Sequence, residues 1–323
     1  MSKVLITGAG GFIGFHLTKS LIEEGHDIVC IDNFYRIPKD NDIQNLQNHE
    51  KVKWIEASIQ DLDLDFILKD NFDYIYHLAT INGTDNFYEK PFTVLDSVVV
   101  PTLNILNALI NNQKNLKRFF LASTSEVYAS MTELHLSTIP TSENTIVGID
   151  DIKNSRWSYA SGKICAESAV IGAGKQFGIP WTIGRYHNVY GPRMGDKHFI
   201  PDFINRSKRN EFMIYGPNQS RCFTFYKDAI DQTVSLARVA GSLNQIVNIG
   251  TDIEHKVKDV AALILKKMGL EDKVVSEFPS KSGSVNRRVP DLNENISLIG
   301  LRKHTSLEDG IEETVSWYLS HPY

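Results

Sequence analysis

Tyr159 and Lys163 belong to the run Ser158-Tyr159-Ala160-Ser161-Gly162-Lys163, and their spacing of four puts a phenol and an ammonium on one helix face. A free phenol ionises at about pH 10, and a fixed positive charge beside it favours the phenolate, so the pair is a candidate general base. Upstream, Ser123-Thr124-Ser125-Glu126 sets hydroxyl groups beside one carboxylate. Next to a ketone, such a carboxylate takes the acidic proton of the neighbouring carbon, which opens elimination chemistry. Each motif alone has a plainer reading. Most Tyr/Lys pairs at this spacing are surface neighbours, and a Ser/Thr run after a strand is a turn or a helix cap.

A third cluster is Thr7-Gly8-Ala9-Gly10-Gly11-Phe12-Ile13-Gly14, which follows a short β-branched run and opens a helical pattern. Gly8, Gly11 and Gly14 leave room for backbone N–H groups to approach a pyrophosphate at the helix N-terminus. Asp32 stands at the end of the second predicted strand, where a carboxylate accepts hydrogen bonds from a ribose diol and repels a 2′-phosphate. The combination points to a dinucleotide and favours NAD over NADP, with Arg36 nearby as the one group suited to a 2′-phosphate. A strand-end cap is the structural alternative for Asp32. The cationic nicotinamide of NAD would join Lys163 in favouring the Tyr159 phenolate.

These groups need a scaffold that gathers them. Lys3 to Thr7, Asp27 to Ile31, Val52 to Glu56, Tyr74 to His77, Arg118 to Ala122 and Trp181 to Gly184 read as buried strands. Helical patterns at about 12 to 24, 61 to 70, 92 to 113 and 156 to 177 supply the crossovers that parallel strands require. The fold expected is α/β, a Rossmann-like doubly wound parallel sheet, whose carboxyl edge receives Thr124, Glu126 and Tyr159. Beyond Arg185 the rhythm changes to shorter elements punctuated by Gly-Pro pairs, with helices near 256 to 268 and 306 to 320. The expected division is 1–185 for the dinucleotide and 186–323 for a smaller α/β substrate lobe, with interleaving of segments allowed. The Asn/Gln-rich stretch from Asp40 to Asn48 reads as a solvated connection.

With 42% hydrophobic and 23% charged residues in 323, the composition is that of a globular chain. A net charge of -5 argues against nucleic acid or an anionic lipid surface as partner, so any phosphate must be met by local donors. No apolar run approaches the length of a membrane span, and the opening MSKVLITGAGGFIG has no apolar leader core, so no membrane is expected and the expected location is cytoplasmic. Cys30, Cys165 and Cys222 are too few and too scattered for a disulfide framework or a zinc site, and read as reduced packing residues.

TGAGGFIG, Asp32, HLAT at 77–80, STSEVY at 123–128, YASGK at 159–163 and RYHNVYGPRM at 185–194 together resemble the extended short-chain dehydrogenase/reductase family over essentially the whole chain. Within it the chain resembles the NAD-dependent nucleotide-sugar epimerases, dehydratases and decarboxylases, on RCFTFYKDAID at 221–231 and RRVPD at 287–291. The resemblance implies Tyr159 as the base for a sugar hydroxyl, Thr124 as its hydroxyl partner, and Lys163 as ribose ligand and tuner of Tyr159. It further implies Phe12, Ile13, Asn33, Ser58, Ile59, Leu78 and Ala79 around NAD. Ser125, Asn188, Arg221 and Arg288 are implied for a nucleotide-diphosphate sugar, the arginines suiting phosphate by their forked donors. A homodimer is implied as well. Two departures stand out: Ser58 replaces the family's aspartate, weakening an adenine contact, and Val98 and Pro101 fall where the family has Asn and Gly, placing Pro101 near a helix bend or start.

A 4-keto sugar has an acidic C5 hydrogen, and a 5-carboxylate on it can leave as carbon dioxide. Glu126 beside the hydroxyl motif therefore favours a 4,6-dehydratase or a uronate decarboxylase, with a 4-epimerase as the alternative and a non-catalytic NAD-binding regulator as a minor one.

Overall fold

The β-branched runs form strands where expected: β1 Lys3–Thr7, β2 Asp27–Asp32, β3 Val52–Glu56, β4 Tyr74–His77, β5 Arg118–Thr124 and β6 Trp181–Tyr186. The computed structural model describes residues 1–36, 39–112, 115–280 and 285–321. A seventh strand of similar length is β11 Gln245–Ile249, and the others are shorter: β7 Val189–Tyr190, β8 Met213–Tyr215, β9 Ser220–Cys222, β10 Thr224–Phe225, β12 Glu254–Lys256, β13 Ser276–Phe278 and β14 Arg287–Arg288. Seven strands make one parallel sheet in the order β11-β6-β5-β4-β1-β2-β3. Successive strands lie to one side of β1 up to β3, and the chain then crosses to the other side at β4. This reversal opens a crevice beyond the carboxyl ends of β1 and β4.

Helices cover both faces of the sheet, so its strands are apolar throughout, as in Val4, Leu5 and Ile6 of β1. Helix Pro91–Asn112 ends at the last described residue before the gap, and residue 113 of the predicted span lies outside the described residues. Its length and apolar composition would suit a membrane span, contrary to the reading that no stretch approaches one. Its Val94, Val98, Ile105, Leu106 and Leu109 are instead buried in the core of the protein. Pro101 sits inside this helix and Pro91 opens it, so Pro101 marks no start. Val98 packs on Gly162, where an added Cβ would come within 3.1 Å of the Val98 Cβ. The family's substituted position is thus used for close contact between the helix Pro91–Asn112 and the helix Ser158–Phe177 that carries Tyr159.

Three expectations need correction. Asp40 to Asn48 holds a helix, Asn41–Gln47, whose first turn is capped by the Asp40 carboxylate accepting from Ile43 N at 2.9 Å. Ile43 and Leu46 pack with Phe15, an apolar pair concealed among amides. The predicted helix 61–70 shortens to Leu64–Leu68, capped by Asp63, after a tight turn over Ile59–Asp61. Of the cysteines, Cys30 and Cys222 are buried, but Cys165 is exposed and is no core packing residue.

The second layer of structure gathers around Tyr190, Phe203, Phe225, Ile264, Ile311 and Tyr318. Helices Phe199–Lys208, Val257–Lys267 and Leu307–Ser320 surround it, with the small sheet β12-β9-β14 beside them. The chain interleaves, because β11 and helix Tyr226–Arg238 return from beyond residue 185 to the main sheet and its core.

Candidate active site

One cavity of about 750 Å³ runs along the carboxyl ends of the main sheet, and every candidate catalytic, cofactor-binding and substrate-binding residue named from the sequence lines it. At one end lies the glycine turn. Gly8 has φ +72, and a Cβ there would stand 2.7 Å from Ala79 N. At Gly14 a Cβ would stand 2.1 Å from Gly8 O. Side chains are therefore excluded from both positions, and the turn presents bare backbone at the start of helix Phe12–Glu23. Phe12, Ile13 and Gly11 complete this wall, with Leu78 and Ala79 at the end of β4 facing it.

Asp32 closes β2. Its carboxylate accepts from Gly10 N at 2.9 Å and from Phe34 N at 2.7 Å, one bond to each oxygen. Each oxygen retains acceptor capacity for a diol. Burial raises the Asp32 pKa, and the Phe34 and Gly10 amides oppose that rise. Asn33 Nδ2 donates to Ser58 Oγ at 2.9 Å, so the serine at the aspartate position joins the loops after β2 and β3, with Ile59 beside it. Arg36 faces the opposite wall, its Nη2 3.8 Å from where a Gly195 Cβ would be. The glycine cradle and the Asp32 carboxylate fit an NAD molecule with its pyrophosphate on the helix terminus and its ribose at Asp32.

At the other end of the cavity the turn Ser125–Tyr128 follows β5, and Thr124 Oγ1 caps it by accepting from Glu126 N at 3.2 Å. Tyr159 lies in the first turn of helix Ser158–Phe177, within hydrogen-bonding reach of Thr124. Lys163 Nζ donates to Ala122 O at 2.7 Å and lies 5.8 Å from the centre of the Tyr159 ring. Burial draws Lys163 down to about 8. The expected lowering of the phenol is not found in the protein alone. Burial and the Glu126 charge raise Tyr159 above its usual range, against smaller opposite effects of Arg36 and Thr124.

Glu126 lies between two guanidiniums. Its Oε2 accepts from Arg156 Nη2 at 2.7 Å and its Oε1 from Arg288 Nη1 at 2.8 Å. Burial alone would raise this carboxyl, but the Arg288 and Arg156 guanidiniums outweigh it and hold the group at about 2. Arg288 also reaches Ser125 Oγ at 3.5 Å, so its guanidinium serves Glu126 and Ser125 and is not free for a diphosphate alone. Arg221, on β9 beside β14, donates to the backbone carbonyls of Ser220 and Asn286 at 2.7 and 3.2 Å and to that of Val285. Burial and the neighbouring Arg288 lower it to about 9. Asn188, at φ +39, leaves its Nδ2 buried with no protein partner while lining the cavity.

Sequence reasoning missed several groups. Arg156 precedes Tyr159 by three residues, and that spacing, one turn, was the available signal. Phe87 stacks on Tyr159, and His198 lines the cavity at the start of helix Phe199–Lys208. Behind the site, Glu167 accepts from Arg185 Nε at 3.0 Å and Nη2 at 2.6 Å and from the Ser123 hydroxyl. Arg185 Nη1 also donates to Tyr128 Oη at 2.7 Å. This buried network ties β5, β6 and the Tyr159 helix together.

A family model described as "NAD dependent epimerase/dehydratase family" matches residues 4–250. The chain is 33% identical over 328 residues to a UDP-N-acetyl-alpha-D-glucosaminuronate decarboxylase of Bacillus cytotoxicus, spanning 98% of this chain and 97% of the relative. It is 30% identical over 320 residues to UDP-glucuronic acid decarboxylase 1 of Xenopus tropicalis, spanning 98% of this chain and 72% of that one. Among solved structures, UDP-glucuronic acid 4-epimerase from Bacillus cereus, in complex with UDP-glucuronic acid and NAD, superposes with a TM-score of 0.87 at 27% identity, covering 98% of this chain and 99% of that one. With the glycine cradle, Asp32 and the Tyr159 constellation in place, the chain belongs to the NAD-dependent epimerase/dehydratase family of nucleotide-sugar enzymes.

Proposed function

We propose that this enzyme decarboxylates a UDP-linked uronic acid through a transient 4-keto sugar. The observation that carries the reading is Glu126 held ionised between Arg156 and Arg288. Two guanidiniums against one carboxylate leave a surplus positive charge beside the reacting carbons, suited to the second carboxylate that a uronic acid brings. A 4,6-dehydration would need an acid to protonate the departing hydroxyl. Glu126 at about 2 carries no proton at neutral pH, and its neighbour is Ser125, an alcohol. Decarboxylation needs no such acid, since the leaving group is carbon dioxide itself.

Bound NAD supplies reversible hydride acceptance at C4. Gly8, Gly11, Gly14 and Asp32 hold it, and Lys163 serves its ribose. Tyr159 takes the proton of the C4 hydroxyl, and Thr124 holds the same oxygen. Arg288 grips the uronate carboxylate. The C5–C6 bond then breaks, its electron pair passes into the C4 oxygen as an enolate, and carbon dioxide departs. The Thr124 and Tyr159 hydroxyls stabilise that oxygen by hydrogen bonding. Water supplies the proton to C5 as the enolate returns to the ketone; the hydride goes back to C4 and Tyr159 returns its proton to the C4 oxygen, leaving a UDP-pentose. Asn188 and Arg221 hold the diphosphate.

The curated relatives cited above act on UDP-linked uronates by name, which supports both the nucleotide and the sugar class. The likeness to the UDP-glucuronic acid 4-epimerase favours epimerisation of the same uronate as the second reading. Incubation with UDP-, GDP-, CDP- and dTDP-linked hexoses and uronates, read by mass spectrometry, separates these. Loss of about 44 mass units from a UDP-uronate supports decarboxylation, unchanged mass with inverted C4 supports epimerisation, and loss of about 18 from a hexose would overturn both. A cytoplasmic homodimer belongs to the same proposal. Leu95, Leu103 and Ile110 stand exposed along one face of helix Pro91–Asn112, an apolar stripe of the kind a partner subunit covers.

A further inference from the structure

Phe87 borders the reaction cavity yet is only 3% exposed. Its ring lies nearly parallel to that of Tyr159, with 7° between the planes and 5.2 Å between centroids. Arg156 Cζ lies 5.3 Å from the centroid of the same Phe87 ring. Arg156 in turn donates to Glu126 Oε2 at 2.7 Å. One aromatic ring thus touches the phenol that acts at C4 and the guanidinium that fixes the carboxylate facing C5. This is possible because Arg156 and Tyr159 sit one turn apart, in the turn Ser155–Trp157 and the helix start that follows it. Phe87 itself rides on the short helix Thr84–Glu89, which is braced by Asn86 Nδ2 donating to Asn82 O at 3.0 Å.

We propose that Phe87 is a positioning residue for the reaction: it sets the ring plane of Tyr159 and, through Arg156, the placement of Glu126. The proposal rests on the C4 oxidation described above. Rotation of a tyrosine ring about its second torsion is broad and soft; it leaves Oη in place on the rotation axis but turns the plane in which the O–H bond and oxygen lone pairs prefer to lie, so that plane needs an outside constraint. An offset parallel ring provides one, and the same ring keeps water from one face of the phenol. Packing of Phe87 on the ring face also limits tilting about the first torsion, which does displace the hydroxyl, and a shift of about 1 Å at a reacting group can cost about a hundredfold in rate.

Phe87→Leu preserves apolar bulk while removing the parallel face, and Phe87→Tyr restores the face. The readout is NADH formed in a single turnover of the NAD-loaded enzyme with UDP-glucuronate, followed against pH, with NAD affinity measured separately. Phe87→Leu is expected to slow this step at least about tenfold, with NAD affinity within about twofold of wild type. Water reaching the phenol relieves the burial that raises Tyr159, so the rise of rate with pH should move to lower pH in Phe87→Leu. Phe87→Tyr should return both the rate and the profile to near wild type. A Phe87→Leu rate within about twofold of wild type, an unmoved pH profile, or failure of Phe87→Tyr to rescue would overturn the proposal. Wild-type enzyme that forms NADH without releasing carbon dioxide would overturn decarboxylation and leave this proposal standing, because the step observed is oxidation at C4.

Discussion

Glu126 Oε1 and Arg288 Nη1 meet at 2.8 Å, joining the turn after β5 to β14 across 162 positions of sequence. The contact closes the reaction end of the cavity with a group from each part of the chain. It also fixes the charge there, because a carboxyl at about 2 remains ionised throughout the physiological range.

Replacing the phenol tests the assignment of the base. Tyr159→Phe keeps the ring stacked on Phe87 and removes only the hydroxyl. Folding and NAD affinity should be nearly unchanged, while kcat falls by at least about a hundredfold, the usual contribution of a positioned base. Steady-state turnover with a UDP-uronate measures it, and near-normal turnover would reject Tyr159.

Lys163 gives a pH dependence with a definite sign. Burial lowers it to about 8 in the protein alone. A ribose that accepts from the ammonium favours the charged form, so NAD binding raises the lysine's pKa. By linkage, affinity is full below about pH 8 and weakens as pH rises above it, by up to about tenfold per unit. Fluorescence titration of NAD across this range should show the slope in wild type and lose it in Lys163→Met. A flat wild-type profile would remove Lys163 from the ribose.

Arg185 and Glu167 make the most deeply buried ion pair of the site's frame, at 3% and 5% side-chain exposure. Arg185→Met would leave the Glu167 charge buried without its guanidinium. Removal of one partner from such a pair costs about 3–5 kcal/mol, so the urea midpoint should fall markedly. A midpoint within experimental scatter of wild type would show that the network carries little of the stability.

The parts of this site that sequence exposes are those built from neighbours in the chain. The glycine turn, Asp32 at the end of β2 and the Tyr159/Lys163 spacing are each set by one strand end or one helix turn, so their geometry follows from local rules. Contacts between distant segments are different. Phe87 meeting Tyr159, and Arg288 meeting Glu126, depend on how a short helix and β14 pack, which no local spacing encodes. Helix Asn41–Gln47 was concealed for a third reason, because its two buried residues, Ile43 and Leu46, are diluted by amides that suggest a loop. In the protein without NAD the phenol shifts upward because of burial and the approach of the Glu126 charge, neither of which local spacing reveals, whereas the expected lowering also calls on the nicotinamide charge.

Decarboxylation of a UDP-uronate is tested most directly by following the carboxyl carbon. UDP-glucuronate carrying ¹³C at C6 is incubated with the NAD-loaded enzyme in deuterium oxide. Loss of the C5–C6 bond predicts labelled carbon dioxide in the headspace and a UDP-pentose bearing one deuterium at C5, both lost together in Glu126→Gln if the ionised carboxylate organises the site. Retention of the ¹³C in a nucleotide sugar of unchanged mass, with C4 inverted and no deuterium at C5, would contradict decarboxylation and establish epimerisation in its place.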